Sequence, residues 1–152
     1  MSFAVVVNPL VHAVNADSPH QPRAEAFLQW AVGSGRMVHL YWPVLAGFLR
    51  ISTHPGIHER PLPLPVALEV VDRLVARPTV RTSGGSVGLW PQLREAVGEV
   101  GSGGNAVSDA FIVSLMHDTG VTTIWTQDRD FRRFDGITVK DPFADRYATG
   151  FR

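Results

Sequence analysis

The sequence predicts an α/β protein whose central parallel sheet is covered on both faces by helices. Short apolar runs rich in β-branched residues alternate along the 152-residue chain with longer segments of helical character. Parallel strands need crossover connections of this kind, and such sheets bury both of their faces. The first run, residues 3–7, is apolar without interruption, as is typical of a strand buried on both sides.

The remaining elements follow at short intervals. After the first strand, Asn8 and Pro9 favour a helix start, because asparagine caps helices and proline suits the first helical position. Further helices are predicted over residues 20–32, 43–51, 64–77, 89–100 and 105–117, and further strands over 37–41, 79–82, 121–126 and 137–140. A short turn or helix is predicted over 128–134, and the tail after Pro142 is expected to be loosely held. No repeat or second domain is evident, so residues 1–152 are expected to form a single domain.

The composition excludes several classes of protein. Fourteen basic and fourteen acidic residues cancel, so the chain has no strongly basic coat, and any contact with nucleic acid would depend on a local patch. The absence of cysteine excludes disulfides and thiolate metal sites. The longest apolar candidate for a membrane span, residues 37–49, is shorter than the roughly 20 residues that a span needs. No basic residue precedes the apolar N-terminal run, so a secretory signal is not expected. We therefore expect a cytoplasmic protein without membrane association.

Two acidic segments stand out as candidate chemistry. Asp109 lies near the start of a helix that Asn105 is expected to cap, and Thr126, Asp128 and Asp130 follow a strand directly. The carboxyl ends of parallel strands are where such sheets place their ligands. Carboxylates about 4 Å apart repel by roughly 4 kcal/mol at an effective dielectric constant of 20, so a cluster needs a cation, and oxygen ligands select Mg²⁺ or Mn²⁺. Each acid taken alone also has a purely structural interpretation. Asp109 could be a solvated residue favoured by the helix dipole, and Asp128 could be a helix cap.

Four segments together resemble the PIN domain family, and above all its VapC-type toxin ribonucleases of toxin–antitoxin modules. "VVNPLVHAVNADSPHQPRAEAFL" resembles the opening strand, which usually ends Asp-x-Asn, with the helices that follow it. "WPVLAGFLRIST" resembles the third helical segment, and "NAVSDAFIVSLMHDTG" resembles the helix that carries the third acid. "TQDRDFRRFDGI" resembles the Thr-x-Asp-x-Asp-Phe signature and is the most specific of the four. The resemblance covers residues 2–142.

This resemblance implies a compact three-layer α/β/α sandwich with a central parallel sheet. It also implies Mg²⁺-dependent (or Mn²⁺-dependent) hydrolysis of RNA phosphodiester bonds by metal-activated water, in a homodimer that a cognate antitoxin neutralises. Carried over by position, Asp109, Asp128 and Asp130 match acidic metal ligands. Asn8 and Thr126 match the polar partners that orient those ligands.

Two departures from the family pattern leave the activity open. Val6 stands where the family has its first acid. The second acid normally falls in the segment matching Leu45 to Gly47, and this sequence has no carboxylate between Leu40 and Arg50. The sequence therefore supports two hypotheses: an active endoribonuclease, or a catalytically impaired PIN-fold protein that binds antitoxin or RNA without turnover. A small-molecule enzyme with a phosphate site is disfavoured, because no glycine-rich turn joins a strand to a helix.

Several other side chains have two interpretations. The pair His54 and His58 does not predict a zinc site, because Pro55 and Gly56 interrupt any helix that would align them and zinc needs three or four fixed ligands. The tryptophans are predicted to be core or dimer contacts rather than base-stacking platforms, and these are Trp30, Trp42, Trp90 and Trp125. Four arginines either bind phosphate or form a solvated face, and these are Arg50, Arg129, Arg132 and Arg133.

Overall fold

The computed structural model describes residues 2–144, in which six α-helices and a short 3₁₀ helix surround one five-stranded sheet. The strands are β1 (Ser2–Val5), β2 (Met37–His39), β3 (Val80–Arg81), β4 (Thr123–Trp125) and β5 (Thr138–Lys140). The helices are α1 (Val7–Val14), α2 (Gln21–Gly33), α3 (Trp42–Ser52), α4 (Leu64–Val75), α5 (Leu89–Val100) and α6 (Ala106–Thr119). The 3₁₀ helix, Arg129–Arg133, connects β4 to β5. The predicted α/β class is confirmed.

The sheet is parallel throughout, in the order β3-β2-β1-β4-β5. β1 lies at its centre, where Ala4 pairs with His39 on one side and Ile124 on the other. The chain leaves β1 toward β2, whereas β4 lies on the opposite side of β1. The carboxyl ends of β1 and β4 therefore flank a topological switch point, which is where open α/β sheets form their binding crevice.

The helices divide into two groups by their contacts. α1 packs against α2 and α3, and α3 packs against α4, whereas α5 packs against α6. The crossovers from β1 to β2 and from β2 to β3 advance in one direction across the sheet, and the crossover from β3 to β4 returns in the other. Because such connections are right-handed, the two groups cover opposite faces of the sheet. This confirms the predicted three-layer α/β/α sandwich.

An aromatic cluster fills the core beside β1. Phe3 stacks on Trp30 with ring centroids 5.5 Å apart, and Trp30 meets the edge of Trp125 at 5.4 Å. The predicted core position is thus confirmed for these two tryptophans. Trp42 and Trp90 lie outside the core, with exposed fractions of 50% and 66%.

The junction between β1 and α1 differs from the prediction. β1 ends at Val5, opposite Trp125 at the end of β4, because pairing cannot continue beyond the partner strand. Val6 then occupies the N-cap position of α1, and Asn8, which the sequence suggested as a cap, is already the second residue of the helix. Val6 still donates its N–H to the carbonyl of Trp125, at 3.4 Å. The junction therefore faces the carboxyl edge of the sheet.

Two further features bear on the surface. The tail after Pro142 was predicted to be loosely held. This prediction is wrong for Phe143, whose ring stacks on His20 with centroids 4.7 Å apart. Residues 145–152 lie outside the described part of the chain. In α4, the apolar residues Leu64 and Leu68 are exposed. None of the helices within residues 2–144 is long and apolar enough to cross a membrane.

Candidate active site

A cleft of about 320 Å³ opens at the carboxyl edge of the sheet, at the switch point between β1 and β4. Its walls come from the start of α1, from α3, from the first turns of α6 and from the segment that follows β4. The polar side chains that line it are those of Asn8, Arg50, Asn105, Ser108, Asp109, Thr126 and Asp128. Four of the five residues predicted to form the site are therefore brought together.

Asp109 is the most buried acid of the cleft. It lies in the first turn of α6, where its N–H donates to the carbonyl of Asn105 at 2.9 Å, and only 8% of the residue is exposed. The pKa of Asp109 is raised to about 6, first by burial and then by the negative charges of Asp128 and Asp130, against the opposing attraction of Arg133. The cleft thus holds negative charge that its own surroundings do not fully compensate.

Arg133 supplies a cation to this acid. Its Nη2 lies 3.3 Å from Oδ2 of Asp109, so the side chain reaches back from the 3₁₀ helix to α6. The predicted alternatives for this residue were phosphate binding or a solvated face, and the structure assigns its guanidinium to a carboxylate.

Asp128 is oriented by local hydrogen bonds. Its N–H donates to Oγ1 of Thr126 at 3.0 Å, and its Oδ1 accepts the N–H of Asp130 at 2.9 Å. Asp128 is therefore the N-cap of the 3₁₀ helix, and it lines the cleft as well. Thr126 is 1% exposed, so its hydroxyl is a fixed partner. The capping and the site interpretations of Asp128 are compatible.

Asp130 lies at the margin of the site. The side chain is exposed, and the residue is not among those that line the cleft in the described chain. Its charge still reaches Asp109, whose pKa it helps to raise. The 3₁₀ helix begins between Asp128 and Asp130, and this turn separates the two side chains.

Position 6 and the segment 45–47, where the family acids are absent, each contribute one residue to the lining of the cleft. Val6 lines it and is 7% exposed. Gly47 lines it from α3, and a Cβ there would lie 3.1 Å from Cγ2 of Val7. Among residues 2–144, no group of three or more His, Asp or Glu side chains converges as a ready metal site.

The oxygen donors of the cleft nevertheless suit a hard divalent cation. Mg²⁺ keeps several waters and is commonly held by only one or two carboxylates together with substrate phosphate. Asp109 and Asp128 supply two carboxylates, and Thr126 and Asn8 supply neutral oxygens. Burial and the charge of Asp128 both raise the pKa of Asp109, and a bound cation would stabilise the ionised form that they disfavour. The residues present therefore fit Mg²⁺ or Mn²⁺.

Two polar residues of the cleft, Asn105 and Ser108, were missed as members of the site. Asn105 makes no side-chain cap bond, although the sequence suggested it as a cap, and it lines the cleft together with Ser108. The spacing Asn105, Ser108, Asp109 places all three on one face of a helix, so it could have been recognised from the sequence. Arg50 was interpreted from the sequence as either a phosphate ligand or part of a solvated face, and the packing of α3 places it in the lining of the cleft.

No family model matches the chain. The sequence is 41% identical over 144 residues to Ribonuclease VapC48 of Mycobacterium tuberculosis. The alignment covers 95% of this chain and 99% of that relative. The chain belongs to the VapC ribonuclease family. Ribonuclease VapC37 of the same organism is a second relative of this VapC chain, 31% identical over 92% of the chain and 96% of the relative. The predicted enzyme class, a PIN-type ribonuclease, is thereby confirmed.

Solved structures give the same fold for this VapC chain. VapC20 of Mycobacterium tuberculosis, described as a sarcin–ricin loop cleaving toxin, matches with a TM-score of 0.65 and 15% identity over 86% of this chain and 92% of that one. VapBC2 from Rickettsia felis, bound to a promoter DNA fragment, matches with a TM-score of 0.64 and 16% identity over 93% and 98% of the two chains. At this identity the likeness concerns the fold. The roles of the individual site residues stay predictions.

Proposed function

We propose that this VapC chain is a Mg²⁺- or Mn²⁺-dependent endoribonuclease toxin of a VapBC-type toxin–antitoxin system. The observation that carries the proposal is the convergence of Asp109, Asp128, Asn8 and Thr126 on one cleft at the switch point of the sheet. These side chains come from three separate parts of the sequence. A carboxylate that served only as a solvated surface residue would not need to meet polar side chains from other elements in one cleft.

In this proposal, Asp109 and Asp128 hold the cation and the neighbouring groups position them. Thr126 fixes the backbone that carries Asp128, Asn8 offers an amide oxygen, and Asp130 supports the site through its charge. When bound, the cation supplies Lewis-acid activation of water and neutralises charge at the phosphodiester. Because Asp109 is buried, bulk water is kept from one side of the site. The effective dielectric constant is lower there, so the carboxylate attracts a cation more strongly.

The proposed partners are an RNA substrate, a cognate antitoxin and a second copy of the chain. Antitoxin binding is supported by the likeness to VapBC2, and the exposed apolar residues of α4, Leu64, Val66 and Leu68, offer surface that a protein partner would cover. Action on cellular RNA would place the protein in the cytoplasm.

A second candidate function is partner binding without turnover. It is favoured by Val6, an apolar side chain facing the cleft where the family has a metal ligand, and by Gly47, which brings no carboxylate from α3. In this alternative the fold and the partner surfaces are retained while the metal is held too weakly for hydrolysis.

An RNA cleavage assay with purified protein at millimolar Mn²⁺ separates the two. The first proposal predicts Mn²⁺-dependent cleavage that EDTA and Asp109→Asn abolish and that Asp72→Asn, the same substitution at an exposed position of α4, leaves unchanged. Wild-type protein that does not cleave, together with a Val6→Asp variant that does, would support the impaired alternative. If neither protein cleaves RNA, the nuclease proposal is wrong.

A further inference from the structure

Arg50 is a cation on the wall of the cleft that the acids do not use. It lies in the last turn of α3, and its side chain is exposed and lines the cleft. The other cleft residues of α3 are apolar or glycine: Pro43, Val44, Gly47 and Ile51. Arg50 is thus the charged group that this helix contributes to the site.

Within residues 2–144, no hydrogen bond or ion pair joins its guanidinium to another residue. Three other arginines are paired with carboxylates. Arg133, which also reaches the cleft acids, is bound to Asp109, Arg60 pairs with Asp17, and Arg73 with Glu69. A guanidinium carries five N–H donors in a planar fork that matches two oxygens of a phosphate.

The electrostatics of the cleft require such a group if RNA enters it. Asp109 and Asp128 repel a polyanion, the chain carries no net charge, and Arg133 is occupied by a carboxylate. Without a general basic coat, attraction for the RNA backbone must come from particular cations near the site.

We propose that Arg50 binds a backbone phosphate of the RNA substrate and thereby positions the strand across the cleft beside Asp109 and Asp128. This inference rests on the proposed ribonuclease function. Arg50 is a substrate-positioning residue in this account, so its loss weakens RNA binding and raises KM, while kcat at saturating RNA changes little.

The test compares Arg50→Met, which keeps an unbranched apolar side chain, with Arg50→Lys and with the control Arg77→Met. Arg77 is an exposed arginine just before β3, at the opposite edge of the sheet from the cleft. Binding of a short fluorescein-labelled single-stranded RNA of mixed sequence is measured in EDTA by fluorescence anisotropy over a range of salt concentrations. KM and kcat are measured on the same RNA with Mn²⁺, and thermal unfolding verifies that each variant is folded.

Arg50→Met is expected to weaken RNA binding about tenfold, as for the loss of one charge-assisted phosphate contact, and to reduce the slope of log K against log salt by about 0.7. Arg50→Lys should restore part of the affinity, since a point charge still attracts phosphate without the bidentate geometry. Arg77→Met should bind as wild type does.

The inference is overturned if Arg50→Met retains wild-type affinity, salt slope and KM, or if Arg77→Met weakens binding equally. If the wild-type protein cleaves the RNA in either case, the proposed function still stands. A wild-type protein that neither binds nor cleaves the RNA would overturn both proposals together.

Discussion

Replacing Asp109 by asparagine should stabilise the metal-free protein at neutral pH. The pKa of this buried carboxyl is raised from 3.8 to about 6, so the folded state disfavours the ionised form that prevails at pH 7. A shift of about 2 pKa units corresponds to roughly 3 kcal/mol, from about 1.36 kcal/mol per unit. The attraction of Arg133 is already included in this net shift. Asparagine keeps the shape and removes the charge, so we expect Asp109→Asn to gain about 2–3 kcal/mol.

The dependence on pH follows from the sign of the shift. Between pH 3.8 and about 6 the folded state binds a proton at Asp109 that the unfolded state has released, so wild-type stability falls as pH rises through this window. Above pH 6 the full penalty is present, and below about pH 4 it is absent. The advantage of Asp109→Asn should therefore be largest at pH 7.5 and should disappear on acidification.

Urea unfolding in EDTA at several pH values between 4 and 8 measures the effect, with Asp72→Asn as an exposed control of the same chemistry. In thermal unfolding, 2–3 kcal/mol corresponds to about 5–10 °C for a chain of this size. If Asp109→Asn is no more stable than wild type at pH 7.5, or if its advantage does not shrink toward pH 4, the account of the cleft as a store of uncompensated charge is wrong.

Three further predictions follow from the same site. Mn²⁺ affinity, measured by isothermal titration calorimetry, should fall as pH drops below about 6, because Asp109 must lose its proton to bind a cation; an affinity independent of pH would contradict this. Val6→Asp should increase Mn²⁺ affinity, and unchanged affinity would show that position 6 does not reach the metal. The new carboxylate should also cap α1, whose N-cap has no side-chain hydrogen bond, and this offsets part of its repulsion from the other carboxylates of the cleft. Thr126→Val should destabilise the protein by about 1–3 kcal/mol in urea unfolding, since it leaves the N–H of Asp128 without its acceptor, and a variant as stable as wild type would contradict this role.

Local patterns predict much of this fold. Helix α5 has the predicted bounds, Leu89–Val100, because apolar spacing and the glycine that follows it are properties of the segment alone. Gly120 ends α6 in the left-handed conformation that glycine favours, which is also a property of the local sequence. The end of β1 could not be predicted in this way, because it depends on where its partner β4 ends.

The site was predictable where it follows from topology. Acids placed directly after β4 and at the start of α6 had to approach the same edge of the sheet, which explains the meeting of Asp109 and Asp128. The outward position of Asp130, the pairing of Arg133 with Asp109 and the presence of Arg50 in the cleft depend on side-chain packing between elements. Periodicity likewise identifies the apolar side of α4 without telling whether it faces the core or a partner.

The central claim, that Asp109 and Asp128 share a divalent cation without a carboxylate at position 6, is tested most directly by a crystal soaked in Mn²⁺. If the two carboxylates share the cation, the crystal shows an anomalous peak in the cleft, about 2.0–2.2 Å from an oxygen of each carboxylate and near Asn8, and Asp109→Asn crystals lack this peak. A cleft without a peak at saturating Mn²⁺, or a peak that persists unchanged in Asp109→Asn, would contradict it.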